Sequence, residues 1–260
     1  VSALLNIVLD LVFILTFGMG IGGAAWATVL SQLLSAILST LFGAKKFQVL
    51  RLRRADFKNM HKDMIIHLKT GFPMGFQMSV MCIGQLAMQA AVNAIGPEAI
   101  AGYTAATKVD QLSVLINNAF GVAIASYVAQ NYGAGRWDRI RSGVKAGLIQ
   151  TEVVNILLCG LILGGRSLVV PMFIDNPTAE IIGYANGYLL AVAPFYLFLG
   201  LLLIIRSSVQ SMGNGKAPFA ACITELVLRI AATFGLQYLL GYVGICLASP
   251  IAWLGASFLL

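Results

Sequence analysis

Residues 181–205 read IIGYANGYLLAVAPFYLFLGLLLII, without one Asp, Glu, Lys or Arg. About 20 apolar residues in a helix cross the hydrocarbon core of a bilayer, so this stretch predicts a membrane span over roughly 180–205. Working outward from it, comparable apolar stretches lie at roughly 1–17, 21–43, 70–95, 99–130, 139–164, 217–240 and 243–260. They are separated by turn signals such as Gly96-Pro97, Gly133-Ala-Gly135, Asn176-Pro177, Gly213-Asn-Gly215 and Gly241-Tyr-Val-Gly244. The expected fold class is an all-α polytopic membrane protein with about eight transmembrane helices. The chain starts at Val1-Ser2 and ends inside an apolar run at Leu260, so the outermost helices are expected to be cut.

Composition supports lipid as the solvent. Of the 260 residues 59% are hydrophobic and 10% charged, whereas a soluble domain carries about a quarter charged residues. Too little charge is present to coat a water-facing surface, while a lipid-facing surface needs none. The net charge of +7 does not suggest nucleic acid, because the basic residues are grouped by loop. Lys45, Lys46, Arg51, Arg53, Arg54, Lys58, Lys62 and Lys69 fall in one loop, and Arg136, Arg139, Arg141 and Lys145 in another, with an uncharged or acidic turn between. That alternation predicts cytoplasmic basic loops and a first span running from cytoplasm to outside. Cys82, Cys159, Cys222 and Cys246 are far apart in apolar runs and suggest neither a metal site nor a disulfide framework.

The loop 44–69 is the only long polar stretch. Phe57, Met60, Met64 and Leu68 recur there at helical spacing, which predicts an amphipathic helix on the membrane surface. It divides the chain into residues 1–43, with two spans, and residues 70–260, with six. Ile21-Gly22 and Val29 match Val243-Gly244 and Ile251 at one constant offset, a faint internal repeat.

Ionisable residues inside spans are costly and each needs a reason. Glu225 and Arg229 stand four apart and can pair on one helix face. Arg206 is expected to snorkel from the end of its helix. Lys108 and Asp110 point to different faces, and Glu152 has no partner nearby in the sequence. Asp10 has Asn6 one turn before it on the same face, and a carboxylate beside an amide oxygen suits a proton or a small hard cation. The same pair also suits a plain tie between two helices. In the span 70–95, Met74, Met78, Met81, Gln85, Met88 and Gln89 share one sector. Such a surface suits variously shaped ligands, or else a packing seam. Pairs of small residues, Gly71/Gly75, Gly143/Gly147 and Gly183/Gly187, suit close helix packing. Gly213-Asn-Gly-Lys216 lacks the remaining P-loop residues, and neither HExxH nor GxSxG occurs, so no enzyme is expected.

The ordered set Asn6-Ile-Val-Leu-Asp10, Gly20-Ile-Gly-Gly-Ala-Ala-Trp-Ala-Thr28, Gly71-Phe-Pro-Met-Gly75, Ala129-Gln-Asn-Tyr-Gly-Ala-Gly-Arg136 and Gln210-Ser-Met-Gly213 resembles the multidrug and toxic compound extrusion (MATE) family, bacterial type. The resemblance implies twelve helices in two lobes, of which this chain would hold helices five to twelve. Residues 1–43 would close the N-terminal lobe, 44–69 would be the cytoplasmic link, and 70–260 would be the C-terminal lobe. Asn6, Asp10 and Thr28 would form part of an H⁺ or Na⁺ coupling site, completed by an Asp on the first helix outside this chain. Some members carry a Glu on helix seven and an Asp on helix ten. Met81 and Leu199 stand near those places here, so a C-lobe site of that type is not expected.

The function expected is a cation-coupled antiporter exporting amphipathic organic compounds. Met78, Met81, Gln85, Met88 and Gln89 would line its substrate cavity. A lipid-linked saccharide flippase of the same superfamily, or a receptor or enzyme without transport, are the alternatives. No cofactor is expected beyond the coupling ion, with Na⁺ at Asp10 the only metal considered. The partners would be small organic substrates and membrane lipids, without nucleic acid. A monomer in the bacterial inner membrane is expected.

Overall fold

The computed structural model describes residues 2–48, 60–174 and 176–260. These form helices α1 (Ser2–Leu11), α2 (Gly20–Lys46), α3 (Met60–Asn93), α4 (Pro97–Gly133), α5 (Trp137–Val169), α6 (Ala179–Val192), α7 (Tyr196–Ser211), α8 (Lys216–Leu240), α9 (Tyr242–Cys246) and α10 (Ala248–Leu259). No strand occurs among the described residues. The all-α membrane fold read from the sequence is the fold observed.

The surface is apolar where a soluble protein would be polar. Leu157, Leu161, Leu86 and Tyr238 all stand well exposed, alongside many other large hydrophobic residues. Among the described residues, six helical stretches are long and apolar enough to cross a membrane: Gly20–Lys46, Pro97–Gly133, Trp137–Leu168, Ala179–Ser211, Lys216–Leu240 and Tyr242–Leu259. Of the other two expected spans, Ser2–Thr16 is apolar but shorter. α3 is 34 residues long and carries Lys62, Asp63 and Lys69 in its first turns. Met60, Met64 and Leu68, read as part of a separate surface helix, lie in α3 itself, while Phe57 falls outside the described residues.

The chain divides into two compact units, Val1–Ile66 and His67–Leu260. In the first, α1 continues into a π-helical turn, Val12–Thr16, closed by Phe17 N–H donating to the Val12 carbonyl at 3.1 Å. Gly18 and Gly20, at φ +62° and +55°, turn the chain back into α2. A Cβ at Gly23 would come within 3.0 Å of Phe13 and Met19, so the absent side chain lets α2 approach the π turn.

In the second unit α8 packs on α10, and α4 packs on α5, α6 and α7. Met88, Val92, Tyr188, Leu189, Tyr196, Leu202, Ile245 and Trp253 belong to one buried cluster. The expected span 180–205 is interrupted. Pro194 offers no N–H to continue the α-helical ladder, and Ala193–Phe195 form a 3₁₀ turn between α6 and α7. Thr178 caps α6 by accepting from Ile181 N–H at 3.3 Å, and the Asn214 side chain accepts from Lys216 N–H at 3.2 Å to start α8.

Of the small-residue pairs, Gly143 and Gly147 do meet side chains, Tyr127 and Ile124 of α4, while Gly71, Gly75 and Gly183 face open space. Other close helix approaches use glycines the spacing did not mark. A Cβ at Gly102 of α4 would lie 2.6 Å from the Ile181 carbonyl of α6. One at Gly200 of α7 would collide with the Asn155 amide of α5.

Candidate ion-coupling site and buried polar network

In the first unit Asn6 and Asp10 lie on α1, both half-buried. Asn6 Nδ2 donates to Thr28 Oγ1 on α2 at 3.4 Å, and Thr28 Oγ1 donates to the Ala24 carbonyl at 3.0 Å. So two of the three expected residues are brought together across α1 and α2. Asp10 sits one turn further on, immediately before the π-helical turn, and its Oδ1 is buried without a hydrogen-bond partner. A buried acceptor left unpaired costs about 1–3 kcal/mol. A proton on that oxygen, or a cation beside it, would remove the penalty.

The methionine sector of α3 is divided by burial. Met78 and Gln85 are exposed, Met81 and Gln89 are partly buried, and Met88 is buried. Met88 accepts a hydrogen bond on sulfur from Ser249 Oγ at 3.3 Å and belongs to the core, while Gln89 Nε2 donates to Asn93 Oδ1 at 2.8 Å on its own helix. Met81 lines a narrow cleft with Gly84, Glu225 and Arg229.

The second unit holds most of the intramembrane charge. Glu225 and Arg229 pair at 2.7 Å, as their spacing implies. Arg206 does not snorkel. It is buried on α7 and donates to the other Glu225 oxygen at 2.7 Å. Glu225 on α8 presents two acceptor oxygens, and this interhelical partner outweighs the route to the interface. Two guanidiniums thus share one carboxylate, and Nε of both arginines is buried without a partner.

A second network was not legible from local spacing. Asp110 on α4 accepts from Tyr196 OH at 2.8 Å on Oδ1 and from Tyr188 OH at 3.2 Å on Oδ2. Asn117 on α4 and Asn155 on α5 exchange amide hydrogen bonds at 2.8 and 3.1 Å, and Asn155 also donates to the Tyr196 carbonyl at 3.0 Å. The available signal was the two lone amides within apolar runs, since an unpaired amide there is costly. Both Glu152 carboxylate oxygens are buried without a hydrogen-bond partner, and Oε1 lies against Gly200. No cluster of three metal-ligating side chains occurs among the described residues.

The MatE family model matches residues 73–254. The chain belongs to the MATE family. Among the relatives of this MATE chain, a probable multidrug resistance protein of Bacillus subtilis, YpnP, is 30% identical over 237 residues, covering 91% of this chain and 51% of its own. An FAD transporter of Shewanella oneidensis is 23% identical, covering 96% of this chain and 56% of its own. An outward-facing multidrug resistance MATE family transporter superposes with a TM-score of 0.89 at 21% identity, over 99% of this chain and 58% of that one. The chain therefore spans about half the length of the curated relatives it matches. One of these relatives is named a multidrug resistance protein and the other a transporter, and the chain is a multi-pass membrane protein.

Proposed function

We propose that this MATE chain is part of a secondary active antiporter that couples inward movement of H⁺ or Na⁺ to export of amphipathic organic compounds. The observation that carries the coupling role is the unpaired, buried Oδ1 of Asp10 beside the Asn6–Thr28 bond. An intramembrane carboxylate with an unsatisfied oxygen is a functional-site hypothesis by default. Occupying or vacating it changes the free energy of any state in which the site stays dry, and that difference biases alternating access. Met78, Met81 and Gln85 are the members of the α3 sector left free to meet a substrate. Met88 and Gln89 have partners of their own.

The test is Asp10→Asn in the full-length protein, in proteoliposomes with an imposed pH or Na⁺ gradient. Ethidium efflux is expected to fall at least tenfold, the effect of losing about 1.4 kcal/mol of coupling, with unchanged protein yield. Efflux at the wild-type rate would overturn the reading. Because one relative is named an FAD transporter, FAD is run beside ethidium. Transport of FAD alone would replace the amphipathic-drug substrate class with a dinucleotide one.

A further inference from the structure

The carboxylate of Asp110 bridges a broken helix. Tyr188 lies on α6, before the Ala193–Phe195 turn, and Tyr196 opens α7, after it. Each phenol donates to a different oxygen of the same carboxylate on α4. An ionised carboxylate has acceptor sites only, so it can hold both phenols at once.

The two ends of this bridge differ in their hydrogen bonds. The α7 end is held a second time, because Asn155 donates to the Tyr196 carbonyl and is itself paired with Asn117. The α6 end has the longer Tyr188 bond, at 3.2 Å, and the edge-on contact of its ring with Tyr103 at 5.3 Å. Pro194 removes the main-chain bond that would otherwise stiffen the junction. The side-chain bridge therefore spans the one place in this helix where the backbone ladder is interrupted.

We propose that Asp110 is a proton-binding carboxylate of the transport cycle, and that its protonation loosens the hold on Tyr188 and lets α6 pivot at Ala193–Phe195. The proposal rests on the exporter reading above and adds a second proton-responsive residue, in the C-terminal unit. The chemistry is a simple exchange of roles. A proton arriving from water on Oδ2 neutralises the carboxylate, so the charge-assisted Tyr188 bond becomes a weaker neutral one in which the carboxyl O–H donates to the Tyr188 oxygen. Tyr196 keeps its shorter bond to Oδ1, which remains an acceptor. Asp110 is partly buried.

The neighbouring titratable groups are few. Tyr103 comes from α4 itself, Tyr188 and Tyr196 from α6 and α7, Arg229 from α8 and Cys246 from α9. Arg229 is bonded to Glu225, not to Asp110. On α5, Cys159 lies beside Tyr196, and Glu152 lies against Gly200. Asp110 is thus the group whose change of charge acts directly on both sides of the break.

The test is amide hydrogen exchange of the full-length protein in lipid nanodiscs, read on the peptide covering residues 188–198. Rates are corrected for the intrinsic pH dependence of exchange. In the wild type, protection of this peptide is expected to fall about tenfold between pH 8 and pH 5.5, the change one charge-assisted hydrogen bond supports. Asp110→Asn and Tyr188→Phe are both expected to show the low protection at either pH. Tyr188→Phe keeps the carboxylate and removes only the Tyr188 bond, so it serves even where Asp110→Asn does not fold. Wild-type protection that ignores pH, or that follows Na⁺ at constant pH, would overturn the proposal, as would pH dependence surviving in Tyr188→Phe. Ethidium efflux by Asp10→Asn separates the two readings. Retained efflux there with pH-dependent protection here sinks the Asp10 site alone, and the reverse result sinks the Asp110 switch alone.

Discussion

Glu225→Ala is expected to destabilise the C-terminal unit by about 3–5 kcal/mol, the usual result of removing one partner from a buried ion pair. Arg206 and Arg229 both end on this carboxylate at 2.7 Å, and each of the three side chains is at least nine-tenths buried. Without Glu225, two guanidiniums would face each other inside an apolar bundle, with no acceptor between them. Their Nε groups already lack partners, so nothing nearby takes up the lost bonds. The measurement is the midpoint of thermal unfolding in detergent, followed by loss of the monodisperse peak. The control is the triple change Arg206→Met, Glu225→Leu and Arg229→Met. Replacing a whole buried ionic group with apolar residues is often neutral or stabilising, so the triple variant should melt near the wild type. A triple variant as unstable as Glu225→Ala would mean that lost packing, not uncompensated charge, is the cause.

Gly102→Ala is expected to be the next most damaging, at about 1–3 kcal/mol for overpacking a close contact. The added Cβ would meet the Ile181 carbonyl at 2.6 Å, Tyr184 Cβ at 2.7 Å and the Ala185 nitrogen at 3.1 Å. Two of those three atoms are backbone, and a helix backbone does not swing aside as a long side chain does. Relief requires α6 to move off α4, which would disturb Tyr188 and its bond to Asp110. Gly164→Ala is the comparison. Gly164 is helical and meets nothing within 4 Å. Alanine there should be neutral or stabilising by up to about 1 kcal/mol, the intrinsic preference of Ala over Gly in a helix. Unfolding midpoints of the two variants, measured side by side, check both statements. Equal midpoints would contradict the tight α4–α6 approach.

The helices were legible because lipid imposes a simple rule on sequence: long apolar runs separated by Gly, Pro and Asn. Expected and observed limits of α4, α5 and α8 differ by a few residues only. The interruption at Pro194 was visible as a residue, but its consequence was not, since proline inside an apolar run is compatible with a continuous kinked helix. Within the candidate sites, what could be read was what is local. Glu225 and Arg229 lie one turn apart, and so do Asn6 and Asp10. Contacts between distant helices were not legible. Arg206 reaches Glu225 across 19 positions, and Asp110 reaches Tyr188 and Tyr196 across 78 and 86. A one-dimensional pattern carries spacing along one helix but not which helix lies beside it. For that reason Arg206 was expected at the interface and is found in the core. The methionine sector shows the same limit. Sharing a face of α3 does not say what each part of that face meets, and Met88 meets Ser249.

The hairpin of α4 and α5 is longer than the layer it crosses. α4 has 37 residues and α5 has 33, which at 1.5 Å per residue is about 55 and 50 Å. The hydrocarbon core is only about 30 Å thick, so upright helices would carry some of their length beyond it. The turn at Gly133–Trp137, with Arg136, Arg139 and Arg141 beside it, sits at the end of that projecting arm. Such an arm is a lever. With a fulcrum midway along α4, a rotation of about 10° would carry the arginine-bearing tip roughly 5 Å sideways, although the packing near Asp110 would shift by only a fraction of that.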